Sequence, residues 1–175
     1  MNKVKNYECR STKELSLSRI MFEVKSFFRK NNDFIPISEF TDEISDPNYI
    51  EGAIEISKWG NKVLSIEDFD YVDQLWCYFV EGIEKVSKGM EFDTYLPDRP
   101  TLISFKPSLA SQKVVITVGK DSKNFISVEY DEFLNVMIKK AKEFFWHMKR
   151  LLPNSQDTYA QTEKDLETVE KNLLK

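Results

Sequence analysis

The fold is decided by residues 49–86, which read YIEGAIEISKWGNKVLSIEDFDYVDQLWCYFVEGIEKV. From Ile50 to Ile56 apolar residues alternate with acidic or small ones, and Gly60-Asn61 suits the positive φ values of a tight turn. These features predict two antiparallel strands joined as a hairpin. From Val72 to Val86 the apolar residues recur at i, i+3, i+4 and i+7, which predicts an amphipathic helix. Because the hairpin and the helix each have one apolar face, packing them together buries both.

The flanking sequence adds further strands and a second helix. Residues 17–30 fit a strand and a helix equally by periodicity, and their β-branched and aromatic side chains favour the strand. Short strands are predicted at residues 102–106, 113–118 and 125–128, followed by an amphipathic helix ending near residue 151. The predicted fold is therefore α+β, an antiparallel sheet of five to six strands packed by two amphipathic helices, with a C-terminal helical tail.

The domain organisation predicted for the 175 residues is one domain with two peripheral segments. Residues 1–16 are a flexible arm, residues 17–153 a single α+β domain, and residues 154–175 a C-terminal helix. The narrow apolar stripe of this helix consists of Tyr159, Leu166 and Leu173. Such a stripe suits docking on the domain or on a second copy of the chain, so a homodimer through this helix stays open.

The two halves of the domain have a similar order, in which strands lead into a helix. True duplication and convergent α+β layering both explain this order, and the sequence leaves the two alternatives open.

Composition places the chain among soluble globular proteins, with 41% hydrophobic and 31% charged residues. No apolar run approaches the roughly 18 residues that a membrane-spanning helix needs. The polar N-terminus has no apolar core of a secretory signal. Cys9 and Cys77 have neither metal-binding nor redox spacing, which favours reduced thiols. We therefore predict a cytoplasmic protein without a membrane partner.

The net charge of −4 is unevenly distributed along the chain. Residues 39–98 contain 15 Asp and Glu but only 4 Lys and Arg, whereas both flanking segments are net positive. A negative surface disfavours nucleic acid as a direct ligand and favours a basic partner. The sequence therefore predicts a basic protein partner.

Groups that could carry catalysis or bind a metal are sparse. His147 is the single histidine, and a surface histidine is the favoured interpretation. The acidic run Glu67, Asp68, Asp70 and Asp73 lacks the glycine and final glutamate of a calcium loop and suits a helix N-terminus. The 5 glycines form no phosphate-binding array. We predict no catalytic residue, no metal and no cofactor.

The residues predicted to bind the partner lie within the acidic segment. Trp59 precedes a tight turn, where it either anchors an interface or folds back on the first helix. The full set is Glu39, Asp42, Glu43, Glu51, Glu55, Trp59, Asp68, Asp70 and Asp73. Their carboxylates would suit the basic cleft of a nucleic-acid enzyme.

The alternative is a small-molecule-binding or enzymatic α+β domain. Its pocket would lie between the sheet and the helices, with Tyr78, Glu81 and Tyr95 as candidate lining residues.

Three segments, Tyr49–Ile56, Val72–Trp76 and Leu96–Pro100, resemble small bacterial proteins of the polymorphic-toxin immunity type. The resemblance spans residues 20–150 and leaves the arm and the tail outside. It implies a non-enzymatic protein that masks a toxin domain by tight binding, and it identifies no catalytic residue.

Overall fold

The computed structural model describes residues 22–120, 123–155 and 157–173, so the arm predicted at residues 1–16 lies outside the described residues. Within them the chain is α+β, with two antiparallel sheets and three helices, the last of them C-terminal. The predicted fold class is therefore confirmed. The strands divide between two sheets, whereas the sequence predicts a single sheet of five to six strands.

The first sheet is formed by β1 (Phe22–Lys30), β2 (Asp33–Pro36), β3 (Glu51–Lys58), β4 (Asn61–Leu64) and β5 (Asp70–Tyr71). Its order is β2-β1-β3-β4, and β5 pairs with the start of β3. The described part of the ambiguous segment 17–30 is thus a strand, as its composition favours; residues 17–21 lie outside the described residues.

The predicted hairpin is the β3–β4 pair. Its two turn residues are Trp59 (φ 50°) and Gly60 (φ 81°), so the left-handed positions lie one residue earlier than the Gly60-Asn61 pair. Two successive positive φ values match the right-handed twist of the flanking strands. The Trp59 side chain is 71% exposed at the tip and does not fold back on the first helix.

The second sheet is formed by β6 (Phe92–Leu96), β7 (Arg99–Ser108), β8 (Lys113–Val118) and β9 (Phe125–Glu129) in that order. It meets the first sheet where β9 approaches the β3–β4 hairpin. There the Lys58 ammonium donates to the Ser127 carbonyl, and the Asn124 amide donates to the Val63 carbonyl at 3.1 Å.

The helices are α1 (Val72–Ser87), α2 (Tyr130–Leu151) and α3 (Ala160–Leu173). Both α1 and α2 contact strands of both sheets, and α3 lies on α1 and α2. Acidic residues begin α1 and α2 and basic residues end them, in the order that complements a helix dipole.

Aromatic rings join the two halves in one core. The Phe105 ring lies 5.2 Å from that of Phe79 on α1 and 5.3 Å from that of Phe133 on α2. Trp76 lies 5.8 Å from Phe144, and its indole N–H donates to the Ser26 hydroxyl at 2.9 Å. Buried rings of this size dominate the hydrophobic stabilisation of the fold.

Candidate functional site

The connection between β2 and β3 is the longest irregular segment within the described residues. It runs over residues 37–50 and contains no regular secondary structure. Connections longer than about 12–15 residues are uncommon in compact domains and are usually functional. Ile37 and Ile50 anchor its two ends in the core, so the loop is held in place.

Acidic residues dominate this connection. Between Asn31 and Ser57 the sequence has no Lys or Arg, although it has seven Asp and Glu. Asp42, Glu43 and Asp46 line a groove of about 300 Å³ between the connection and the β1–β2 turn. Glu51, at the start of β3, lines the same groove.

Two tyrosines stand beside these carboxylates. Tyr49 is 63% exposed, and its ring meets that of Tyr71 edge-on at 5.7 Å. Glu51 is the cross-strand partner of Tyr71 in the β3–β5 pair. Burial, the nearby Asp98 carboxylate and, to a smaller extent, Glu51 raise the pKa of the Tyr71 phenol. The Tyr71 ring is therefore surrounded by negative charge.

Asp70 brings Asp98 to this position. The buried Asp70 carboxylate accepts from the backbone N–H of Tyr71 at 2.8 Å and from that of Asp98 at 3.0 Å. The β6–β7 turn is thereby tied to β5, and the exposed Asp98 is held beside the two tyrosines.

We name this region the acidic tyrosine surface. It consists of Asp42, Glu43, Asp46, Tyr49, Glu51, Tyr71 and Asp98. Three cations adjoin it. Lys30 pairs with Asp42 at 2.6 Å, Arg29 pairs with Glu51 at 3.3 Å, and Arg99, next to Asp98, stacks on the same Phe69 ring as Arg29. Five carboxylates against three cations leave the surface net negative, with tyrosines supplying apolar contact area.

The predicted partner-binding residues are not all part of this surface. Asp42, Glu43 and Glu51 belong to it. Asp70 is buried beside it and accepts hydrogen bonds from the backbone of two of its members, Tyr71 and Asp98. Glu39 is exposed at the beginning of the same connection. Trp59 lies at the opposite end of β3 from Glu51, about 25 Å away at the usual rise per residue.

The remaining three predicted carboxylates have structural partners. Asp68 forms a capping box with Ser65, accepting from its backbone N–H at 3.0 Å. Asp73 accepts from the Tyr159 hydroxyl at 3.0 Å. Glu55 is 7% exposed, and its carboxylate lies 2.6 Å from the Lys62 ammonium.

Glu55 lines a separate cleft on the outward face of the first sheet. The cleft has a volume of about 630 Å³, and its apolar lining includes Phe27, Phe34 and Ile66.

The three residues predicted to line a small-molecule pocket lie outside this cleft. Tyr95 is exposed on β6, and Glu81 pairs with Lys85 at 2.7 Å on the same helix as the exposed Tyr78.

The C-terminal helix packs on its own chain through a mixed polar and apolar contact. Tyr159, Leu166 and Val169 are buried there. Burial raises the pKa of the Asp73 carboxyl although the Tyr159 hydroxyl bond opposes this effect. Burial also raises the pKa of the Cys77 thiol, whose sulfur lies 3.7 Å from the Thr162 hydroxyl.

Within the residues that the structure describes, no group of three or more His, Cys, Asp and Glu side chains is arranged to hold a metal ion. Burial and the neighbouring Arg150 lower the pKa of His147, which stands beside the exposed Trp146. No helix in the described part of the chain is long and apolar enough to cross a membrane.

Sequence reasoning missed Tyr49, Tyr71 and Asp98. The first had a usable signal, because Tyr49 and Glu51 flank the buried Ile50 and strand alternation places both on one face. Asp98 had no such signal in the local sequence, because the hydrogen bond that positions it joins residues 28 apart.

Comparison with protein-family models, with curated proteins and with solved structures found no match to this chain. Function is therefore inferred from geometry, charge and the resemblance of short sequence segments.

Proposed function

We propose that this chain is a non-enzymatic binding protein of the toxin-immunity type, which acts in the cytoplasm by covering the basic cleft of a nuclease-like toxin domain. The observation that carries the proposal is the acidic tyrosine surface. Its carboxylates come from residues 42–51 and from the β6–β7 turn, and they converge around the exposed Tyr49 and the partly buried Tyr71.

Charge and tyrosine content support protein binding over catalysis. Complementary charge accelerates association with a basic partner, and tyrosine is enriched where interfaces gain most of their affinity. A long connection anchored at both ends keeps the surface preorganised, which lowers the entropic cost of binding. The resemblance of Tyr49–Ile56 and Leu96–Pro100 to immunity proteins involves segments that contribute Tyr49, Glu51 and Asp98 to this surface.

The proposal is tested by co-expressing this chain with each open reading frame that adjoins its gene and scoring cell survival. A reading frame that is lethal alone and tolerated with this chain supplies the partner. The triple variant Glu43→Lys, Glu51→Lys and Asp98→Lys is then expected to lose protection and to bind the purified partner at least 100-fold more weakly, at about tenfold per reversed charge.

The matched control has the same charge change on the second sheet and its flank, with Glu91→Lys, Asp93→Lys and Glu129→Lys, all exposed positions. We expect this control to keep protection and most of its affinity. Equal losses in both triple variants would show that only overall charge matters and would contradict a role for the acidic tyrosine surface.

A further inference from the structure

The cleft that contains Glu55 has features of a side-chain receptor. Glu55 lies in the middle of β3, where Lys25 of β1 is its cross-strand partner and the pairing with β4 begins at the next residue, Ile56. Only 9% of its side chain is exposed, although it belongs to the outward face of the sheet. A carboxylate held this rigidly at the base of a cleft is preorganised to accept hydrogen bonds.

The counter-ion of Glu55 is replaceable. The Lys62 ammonium lies 2.6 Å from the Glu55 carboxylate, yet half of the Lys62 side chain is exposed. Lysine is a flexible and strongly hydrated point charge, whereas arginine binds a carboxylate through two parallel hydrogen bonds. An arginine brought by another molecule would therefore compete well for Glu55.

The same face of the sheet already holds one guanidinium against both a carboxylate and an aromatic ring. Arg29 stacks on the Phe69 ring at 4.1 Å from its centroid and pairs with Glu51 at 3.3 Å. The cleft repeats this combination of a carboxylate with aromatic rings, since Phe27 and Phe34 line it beside Glu55.

Two further lysines line the cleft, and each of them is paired with a carboxylate. Lys140 pairs with Glu143 at 2.7 Å, and Lys25 pairs with Glu23 at 3.1 Å. Each of these lysines is thus neutralised by its own neighbour, and Lys62 is the competitor that an incoming cation must displace.

We propose that this cleft binds an arginine side chain of the basic partner, with Glu55 accepting from the guanidinium, Phe27 and Phe34 packing against it, and Lys62 turning to solvent. The identity of the partner rests on the proposed function. Glu51 and Glu55 face the same way on β3, about 13 Å apart. A protein seated on the acidic tyrosine surface therefore reaches the cleft.

The test uses N-acetyl-arginine amide as the probe and needs no partner. Its binding to the full chain is measured by NMR titration, with N-acetyl-citrulline amide as the uncharged isostere. Lys62→Met removes the competing ammonium and keeps the aliphatic stem. We expect it to tighten binding of the arginine probe roughly tenfold, the scale of removing one like charge near a surface.

Glu55→Gln, made alone and together with Lys62→Met, is expected to abolish that binding. The citrulline probe is expected to bind none of the variants. Asp93→Asn, which removes an exposed carboxylate on the second sheet, is the matched control and should leave the titration unchanged. Lys62→Gln serves as a second variant where Lys62→Met fails to fold, as judged by circular dichroism.

Two results would overturn the inference: no tighter binding of the arginine probe when Lys62 is replaced, or binding that survives Glu55→Gln. Both are independent of the proposed function, because no toxin takes part. Conversely, if the charge-reversal experiment contradicted the proposed function, the expected result of the arginine titration would stay the same.

Discussion

The two halves of this protein have the same order of strands followed by a helix, and they differ in one connection between strands. Each half has a four-stranded antiparallel path leading into a long helix, β1–β4 before α1 and β6–β9 before α2. In the second half the strands are joined at residues 97–98, 109–112 and 119–124, whereas the first half contains the connection 37–50. That connection carries the acidic groove, so the feature that distinguishes the halves is also the feature on which the functional proposal depends.

Two glycines allow close packing, one inside the first half and one where α1 meets the second sheet. A Cβ on Gly52 would lie 2.1 Å from the Phe27 carbonyl oxygen, which is backbone and cannot yield. A Cβ on Gly82 would lie 2.6 Å from the Phe92 ring, which is a side chain. The contact inside the first half is therefore limited by backbone, and the contact between the halves by side-chain packing.

The largest expected effect follows from this difference. Gly52→Ala should lower the free energy of unfolding by about 3 kcal/mol, because overpacking against fixed backbone separates β1 from β3. Gly82→Ala should cost about 1 kcal/mol, because overpacking is partly offset by the higher helix propensity of alanine. Urea denaturation of both variants measures the difference. Equal losses would mean that the contact inside the first half relaxes as readily as the contact between the halves.

The acids in the first turns of the two helices give the next contrast. Asp73 of α1 is half-buried under α3, whereas Asp131 of α2 is exposed. Each benefits from the helix dipole by about 0.5 kcal/mol. For Asp73 burial outweighs that benefit, since the pKa of its carboxyl is raised from its ordinary value of 3.8.

Asp73→Asn and Asp131→Asn are therefore expected to shift stability in opposite directions at neutral pH. The first should gain about 1 kcal/mol, because the asparagine oxygen still accepts from Tyr159 and no charge is buried. The second should lose about 0.5 kcal/mol with its dipole interaction. Thermal unfolding at pH 7 measures both.

The pH dependence of the same pair follows from linkage. A carboxyl whose pKa is raised on folding binds more protons in the folded state, so its contribution to stability is greatest below its ordinary pKa. That contribution falls as pH rises from about 4 through the raised pKa. The difference between Asp73→Asn and the parent chain should thus shrink on acidification. A difference that stays constant with pH would contradict the burial of an ionisable Asp73.

The pattern of the sequence was sufficient for most elements and for the pairing of strands across a tight turn, as in β3–β4, but not for the pairings between strands remote in sequence. Alternation and 3.6-residue spacing report which face of an element is apolar, and they located the β3–β4 hairpin, α1 and α2. They do not report which strand is the neighbour. The split into two sheets depends on where β9 meets the hairpin, through Lys58 and Asn124, and that contact is remote in sequence.

The candidate site was predictable only in part for the same reason. The acidic composition of residues 39–51 is a local signal, and Asp42, Glu43 and Glu51 were found by it. Charge alone could not separate these from Asp68, which caps a turn, or from Glu55, which faces a different cleft. The local sequence shows how many carboxylates a segment contains, whereas contacts between segments remote in sequence determine which of them lie together.

The smallest expected effect concerns two left-handed residues beside strands, one in each half, that are neither glycine nor asparagine. Trp59 opens the β3–β4 turn at φ 50°, and Gln112 precedes β8 at φ 53°. Asparagine tolerates this conformation better than either residue. Trp59→Asn should therefore raise the free energy of unfolding by about 0.5 kcal/mol, and Gln112→Asn should do the same. Chemical denaturation measures the two gains.

Trp59 is 71% exposed in the left-handed conformation, so its backbone cost is offset only by the Lys58 ammonium, which lies 5.4 Å from the centre of its ring. If Trp59 is a partner contact, Trp59→Asn should weaken partner binding while it stabilises the fold, and Gln112→Asn should stabilise the fold alone. Unchanged partner affinity in both variants would remove Trp59 from the interface. Within the described residues, the 37–50 connection would then be the one feature that both distinguishes the two halves and is proposed to bind the partner.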